Sequence, residues 1–465
     1  MNWSFLCSRR ILLAIYMAVG VGLVIAMRLS LSLAIVDMTK NLATKRNATQ
    51  FECYYYNSTQ SSHEGKYNWS ENTQTWLLSA FYMGYAIFLI PGGFIADYIG
   101  GRLAVFIGVF GTSILTILTP LFAELNVYIF IVARFVEGAI ESPFYLGIGI
   151  LVSKWALRNE NTTFMSLAFS GIYIGFIICQ PLTGYLCSLS FLGGWPLGFY
   201  IYGALGILWS LPWLLFVSES PEKSIFLSDK EKIALSSQAV KKKRPIIEIP
   251  WKKFITCKPL IGACIAELGV RFYSGLIMNC FPMFLLNVIG VDIKSNGLLN
   301  AVPSTVALVG FLFASILVDF LRESLVSIKV ARKVIFVVGS ILCSACGFMI
   351  KAAGCSPFLV IVVVSMIFFF QAFCVAQLPP NIIELFPNYT GFMYSILNVA
   401  TSTMFLASPY IVDIFTDGHI ESATHWQHAF SVASISTILA AIVYALTIST
   451  TPVEWARDSE KLSIN

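Results

Sequence analysis

Residues 91–102 read Pro-Gly-Gly-Phe-Ile-Ala-Asp-Tyr-Ile-Gly-Gly-Arg, and residues 315–322 read Ser-Ile-Leu-Val-Asp-Phe-Leu-Arg. Each stretch closes a long apolar run with a small residue, an aspartate four positions later and then an arginine. The second copy is degenerate, but it sits at the matching place in the second half of the chain. An internal repeat of this kind, carried on membrane spans, predicts a protein built from two similar helical halves with a site between them at mid-depth.

The composition agrees. Of 465 residues, 57% are hydrophobic and only 12% charged, where a soluble domain carries about 25% charge. Apolar runs of about 20 residues, the length needed to cross a bilayer, fall at approximately 11–36, 74–97, 103–123, 127–153, 164–187, 196–217, 258–289, 296–320, 334–352, 356–380, 389–414 and 428–450. The first run, Ile11–Val36, exceeds the ~7–15 residue core of a signal peptide and reads as a retained span. The expected fold is an all-α membrane protein of twelve transmembrane helices in two six-helix halves. Residues 1–217 form the N-terminal half with an outer loop at 39–73, residues 218–257 a linker, residues 258–450 the C-terminal half and residues 451–465 a tail.

Two independent signals orient the chain. Arg9, Arg10, Arg102, Lys154, Arg158, the basic residues of 241–253, and Arg322, Lys329, Arg332 and Lys333 all fall on one side, which the positive-inside rule makes cytosolic. Loop 39–73 falls on the other side and holds three glycosylation sequons, at Asn47, Asn57 and Asn68. Both termini and the tail are then cytosolic. The net charge of +5 lies in loops between spans, so it implies no nucleic-acid partner. The tail before the first span is short and carries no acidic dileucine signal, which points to the plasma membrane; vesicular or lysosomal membranes stay open as alternatives.

The fourth span carries the chemistry. Arg134, Glu137 and Glu141 interrupt an apolar stretch at spacing i, i+3, i+7, which puts all three within an arc of roughly 60° on one helix face. A charge at membrane depth costs at least ~2.5 kcal/mol on insertion scales, so such residues mark a polar pathway. Two close carboxylates out of water resist double ionisation, which makes Glu137 and Glu141 proton-coupling candidates with Arg134 as their modulator. Arg28 on the first span lies at similar depth, and its guanidinium fork suits a carboxylate or phosphate. On the seventh span Glu267 and Arg271 stand at i, i+4; Arg271 is either a second anion-binding cation or half of a pair that locks its helix. Tyr82, Tyr145, Tyr173 and Phe272 are candidate cavity walls, and Gly171-xxx-Gly175 suits close helix packing. Cys343-x-x-Cys346 has no second pair and lies in an apolar helix, so it reads as buried packing rather than metal binding.

Gly93-xxx-Asp97-xx-Gly100-x-Arg102 resembles the cytosolic loop signature of the major facilitator superfamily, and Asp319 marks its repeat. Further stretches are similar to one branch, the organic anion:cation symporters, which include sialin, the vesicular glutamate transporters and the type I sodium/phosphate cotransporters. They are Arg28-x-x-Leu31-x-x-Ala34-Ile35-Val36-Asp37-Met38, Arg134-x-x-Glu137-Gly138-x-x-Glu141, Ser153-Lys154-Trp155-Ala156, Gly194-Trp195-Pro196, Asn296-Gly297-Leu298-Leu299, Trp426-Gln427 and Glu454-Trp455-Ala456. The chain departs from the branch at the pocket. Ser30 stands where the branch often has Asn, Gly149 and Leu78 where members carry histidines, and Leu268 where some carry an arginine. Asn381-Ile382-Ile383-Glu384 replaces Asn-His-Leu-Asp.

The resemblance implies a secondary active transporter of small organic anions, proton-coupled and working by alternating access, with Arg28 and Arg271 on the substrate. Gly93, Asp97, Gly100, Arg102, Asp319 and Glu384 would form the conformational gate. The alternatives are sodium-coupled phosphate or anion cotransport, or an anion conductance on the same fold. The sequence shows no phosphate-cradling Gly-rich loop, no Cys/His metal set and no nucleophile–base arrangement. An enzyme, a cofactor and a metal are therefore not expected; the only coupling species is H+ or Na+. The expected partners are a small anion and the lipid bilayer, and no feature points to an obligate protein partner.

Overall fold

The computed structural model describes residues 9–39, 66–156, 161–189, 191–224, 251–291, 293–324, 326–386, 390–416 and 422–453. Among them, twelve helices are long and apolar enough to cross a membrane. They are α1 (Arg9–Met38), α2 (Glu71–Ile99), α3 (Gly101–Leu125), α4 (Val127–Trp155), α5 (Asn161–Phe169 and Gly171–Cys187), α6 (Trp195–Phe216), α7 (Lys258–Gly275, running on through residues 276–289), α8 (Ile293–Ser324), α9 (Ile328–Ala353), α10 (Pro357–Val375, followed by Leu378–Leu385), α11 (Thr390–Thr416) and α12 (Ala423–Thr447). The chain is a multi-pass all-α membrane protein. The end of the bundle where Thr39 meets Tyr67 is called the loop end, and the end where Phe216 and Lys258 lie is called the linker end.

The packing repeats between the halves. In the N-terminal half α4 packs on α2 and α3, α1 on α5, and α6 on α3; in the C-terminal half α10 packs on α8 and α9, α7 on α11, and α12 on α9. The halves meet along α2–α11 and α5–α8, which are also equivalent pairs. Small residues permit the closest approaches. A Cβ on Gly171 would lie 2.0 Å from the Ala18 carbonyl, and one on Gly175 would lie 2.5 Å from that of Gly22. Helices α1 and α5 therefore touch backbone to backbone, as the Gly-xxx-Gly spacing predicts.

Two helices are locally irregular. α7 carries π turns at Leu276–Cys280 and Leu285–Ile289, a distortion frequent near functional sites. In α4, Pro143 cannot donate to the Ala139 carbonyl, and the Ser142 hydroxyl takes its place, with bonds of 2.9 Å to Ala139 O and 3.0 Å to Phe88 O. The cost of a proline beside Glu141 is thereby reduced, and α4 is tied to α2 at that turn.

Candidate functional site

A cavity lies between the halves. Its walls come from α1, α2, α4 and α5 on one side and from α7, α8, α10 and α11 on the other. Its volume is about 120 Å³, well above the ~10–15 Å³ that admits one water. Aromatic rings dominate the lining, and two cations reach it: Arg28 from α1 and Arg271 from α7.

Arg28 is held by rings rather than by a tight ion pair. Its guanidinium carbon stands 5.1 Å from the Phe81 ring centroid, 5.6 Å from Tyr82 and 5.8 Å from Tyr85, so one turn of α2 provides a cation–π cradle. The nearest carboxylate oxygen is Glu141 Oε1, 3.9 Å from Nη1. Glu141 is fully buried, and neither of its oxygens has a hydrogen-bond partner among the described residues. One turn away, both oxygens of Glu137 and both terminal nitrogens of Arg134 are bonded. Arg134 Nη1 donates to Glu137 Oε2 at 2.7 Å, Thr116 Oγ1 donates to Glu137 Oε1 at 3.3 Å, and Arg134 Nη2 donates to the Arg28 carbonyl at 3.2 Å. Phe81 lies against both guanidinium groups, 5.3 Å from that of Arg134.

The halves touch on both sides of the cavity. Toward the loop end the Tyr82 hydroxyl donates to Asn279 Oδ1 at 3.4 Å, and Asn279 Nδ2 donates to the Phe405 carbonyl at 3.0 Å. Toward the linker end Ser166 and Ser315 share a 2.6 Å hydrogen bond, and Asp319 Oδ2 accepts from Thr163 N and Oγ1 at 3.1 and 2.6 Å. The equivalent place on the other interface brings Gly93 against Ser395. The pattern of the Major Facilitator Superfamily matches residues 17–409. The chain belongs to the Major Facilitator Superfamily. It is 28% identical to sialin of Homo sapiens over 97% of this chain and 91% of that protein. It is 27% identical to vesicular glutamate transporter 2 of Bos taurus, covering 97% of this chain and 76% of that protein, and 27% identical to vesicular glutamate transporter 3 of Danio rerio, covering 98% and 75%. Membership of the superfamily makes the chain a transporter rather than an enzyme.

Within this superfamily frame the structure sorts the residues singled out by sequence. Arg28 and Arg271 face the cavity; Glu141 stands behind Arg28. Arg134 and Glu137 do not line it. They share the predicted helix face with Glu141, but they are turned into the contact between α4, α3 and α1. Tyr82, Tyr145 and Tyr173 line the cavity as expected, whereas Phe272 is buried in the C-terminal half and does not. Arg271 Nε donates to Glu267 Oε1 at 2.6 Å, so this residue is paired along α7 and also faces the cavity. Glu384 accepts from Arg332 Nη2 at 2.8 Å inside the C-terminal half.

The loop signature is anchored by a residue outside it. Gly100 has φ +90° and joins α2 to α3, a conformation that favours glycine. A Cβ there would also press to 2.8 Å from the Glu219 carboxylate. Glu219, at the start of the linker, accepts from Gly101 N at 3.1 Å and Arg102 N at 2.8 Å, and it pairs with Lys154. A carboxylate there satisfies first-turn donors and the dipole of α3. Arg102 itself donates to the Leu214 carbonyl of α6, and Trp213 Nε1 donates to the Arg102 carbonyl at 3.0 Å. Asp97 closes α2 one turn before Gly100. Of the sequons, Asn68 is exposed at the loop end; Asn47 and Asn57 lie outside the described residues.

Sequence reading missed Phe81, Tyr85, Thr116, Thr401 and Glu219. Thr116 had a visible signal: with Thr112 and Thr119 it forms a polar row at helical spacing within an apolar span. Phe81 had none, because one phenylalanine among 37 is not distinguished by type.

Proposed function

We propose that the chain is a secondary active transporter of small organic anions, coupled to protons and working by alternating access. The observation that carries this reading is Glu141. A carboxylate buried with both oxygens bare is costly as an ion, and its nearest cation among the described residues, Arg28, faces the cavity at 3.9 Å. An anion entering the cavity competes for Arg28. A proton on Glu141 then removes the charge that the anion displaces, and the loaded cavity can pass through the low-dielectric state between the two open forms. Glu137 stands closer to a structural role, since its oxygens are taken by Arg134 and Thr116; with Arg134 it braces the Arg28 backbone. Arg271 gives the anion a second cation from the other half.

The gate reading rests on the contacts that must alternate. Asp319 with Thr163, Ser166 with Ser315 and Gly93 with Ser395 hold the linker end, with Asp97, Gly100 and Arg102 at the neighbouring turn and Glu384 fixing the end of α10. Exposed Lys252, Lys253, Lys329 and Lys333 at the linker end, with Asn68 exposed at the loop end, support cytosolic termini and glycosylation on the opposite side. Placement in the plasma membrane or in a vesicular or lysosomal membrane fits this orientation equally.

The test is uptake of labelled sialic acid, L-glutamate, succinate and inorganic phosphate into proteoliposomes, under a pH gradient without sodium and under a sodium gradient without a pH difference. Proton-driven accumulation of an organic anion that is lost in Glu141→Gln is the expected result. Accumulation that needs sodium would move the reading to sodium-coupled anion cotransport, and uptake that never exceeds equilibration would move it to a conductance.

A further inference from the structure

The C-terminal half holds a second arginine–carboxylate arrangement at the cavity wall, of which the mechanism above uses the arginine but not the carboxylate. Glu267 is 1% exposed. Its Oε1 accepts from Arg271 Nε at 2.6 Å, along α7, and from Thr401 Oγ1 at 2.6 Å, across to α11. Its Oε2 is buried and has no hydrogen-bond partner among the described residues. Arg271 and Thr401 both line the cavity; Glu267 stands behind them.

We propose that Glu267 is a second proton-binding carboxylate, which holds Arg271 in the empty carrier and gives it up to the substrate anion when protonated. The inference rests on the anion-transport reading above. A pair whose only task was to lock α7 would be expected to satisfy both oxygens, as Glu137 does. A bare buried carboxylate oxygen carries the desolvation penalty of a charged group, and a proton on Oε2 removes that charge. The bond to Glu267 occupies only Nε, so the terminal nitrogens of the guanidinium fork are left for an anion.

The charges at the cavity favour the same conclusion. Arg28 and Arg271 are balanced by Glu141 and Glu267, so the empty site carries no net charge. A monoanion restores neutrality with one proton and a dianion needs two. Each proton comes from the solution the cavity faces, binds a carboxylate oxygen as the anion takes its arginine, and leaves to the other side when the anion departs and the ion pair re-forms. The titratable groups that interact with Glu267 are Arg271 and Cys264 on α7 and Tyr394 on α11; Tyr173 of α5 faces Arg271. The groups presented by α10 and α12 to this part of α7, Gln371, Ser436 and Thr437, do not titrate. Because Thr401 belongs to α11, which packs on α2 of the other half, the state of Glu267 is transmitted to the inter-half contact.

The experiment measures how far a pH gradient concentrates substrate when the membrane potential is clamped at zero. The probe is whichever of the four labelled anions above the wild type concentrates most. Each coupled proton contributes about tenfold per pH unit, so at a one-unit gradient wild type is expected to concentrate a dianion about 100-fold and a monoanion about tenfold, and Glu267→Gln about tenfold less in either case. A parallel readout needs no transport: infrared difference spectra of the purified protein after a pH drop should show two new carboxylic-acid C=O bands, one lost in Glu267→Gln and the other in Glu141→Gln. Accumulation in Glu267→Gln that matches wild type, or a band set unchanged by that substitution, would overturn the proposal and leave the Glu141 mechanism standing. Wild type that shows no proton-driven accumulation overturns the transport reading itself, and this inference with it.

Discussion

Glu137 and Glu141 stand one turn apart on α4, on the same helix face, and their surroundings differ completely. Glu137 is closed by Arg134 at 2.7 Å and by Thr116 at 3.3 Å; for Glu141 the nearest cation among the described residues is Arg28, at 3.9 Å. The first arrangement is a brace, because every strong acceptor is used and the arginine also reaches the Arg28 backbone. The second keeps an open acceptor beside a cation that faces the cavity. Buried charge therefore stands in two arrangements in this helix, and the degree of hydrogen-bond saturation tells them apart.

The largest expected effect tests the brace. Glu137→Ala leaves Arg134 buried and uncompensated, and should cost about 3–5 kcal/mol of stability, read as a lower thermal unfolding temperature in detergent. The double variant Arg134→Met with Glu137→Leu should recover most of that loss; if it unfolds as readily as the single variant, the pair is not a replaceable brace. Thr116→Val removes one donor to Glu137 and should cost about 1–2 kcal/mol by the same measurement. Arg28→Lys keeps the charge but loses the fork and much of its stacking on the Phe81, Tyr82 and Tyr85 rings, and should weaken anion affinity about tenfold with the folded state intact. Last in stability but not in function is Glu141→Gln. It should change stability by less than about 1 kcal/mol and yet abolish proton-driven uptake. A destabilisation as large as that of Glu137→Ala would make the two carboxylates equivalent and break the comparison.

Much of this was legible before any fold was known. The twelve spans follow from runs of apolar residues, and the structure reproduces them to within several residues. The repeat at Asp97 and Asp319 announced two halves, and equivalent helices do pack in equivalent ways. Arg28, Arg134, Glu141 and Arg271 were conspicuous because a charge in an apolar span is rare and expensive. Neutral and aromatic participants were harder to see. Phe81 supports both guanidinium groups of the N-terminal site, but phenylalanine is ordinary in a membrane helix. Glu219 caps α3 from more than 100 positions away in the chain, a distance that no local pattern spans.

The sequence by itself determined the class of molecule: hydrophobic length sets the spans, basic loops suggest their direction, and charges at membrane depth mark the candidate functional residues. Those are local properties, each set by one stretch of chain against water or lipid. Only the tertiary structure decided which charges act together. It turned Arg134 and Glu137 into the packing between helices, left both oxygens of Glu141 bare behind Arg28, and brought Arg271 to the same cavity from the other half with Glu267 half-satisfied at its back. Saturation of a buried carboxylate depends on donors from other helices, such as Thr116 of α3 and Thr401 of α11, and their arrival at that atom is a property of packing that spacing along one helix does not contain.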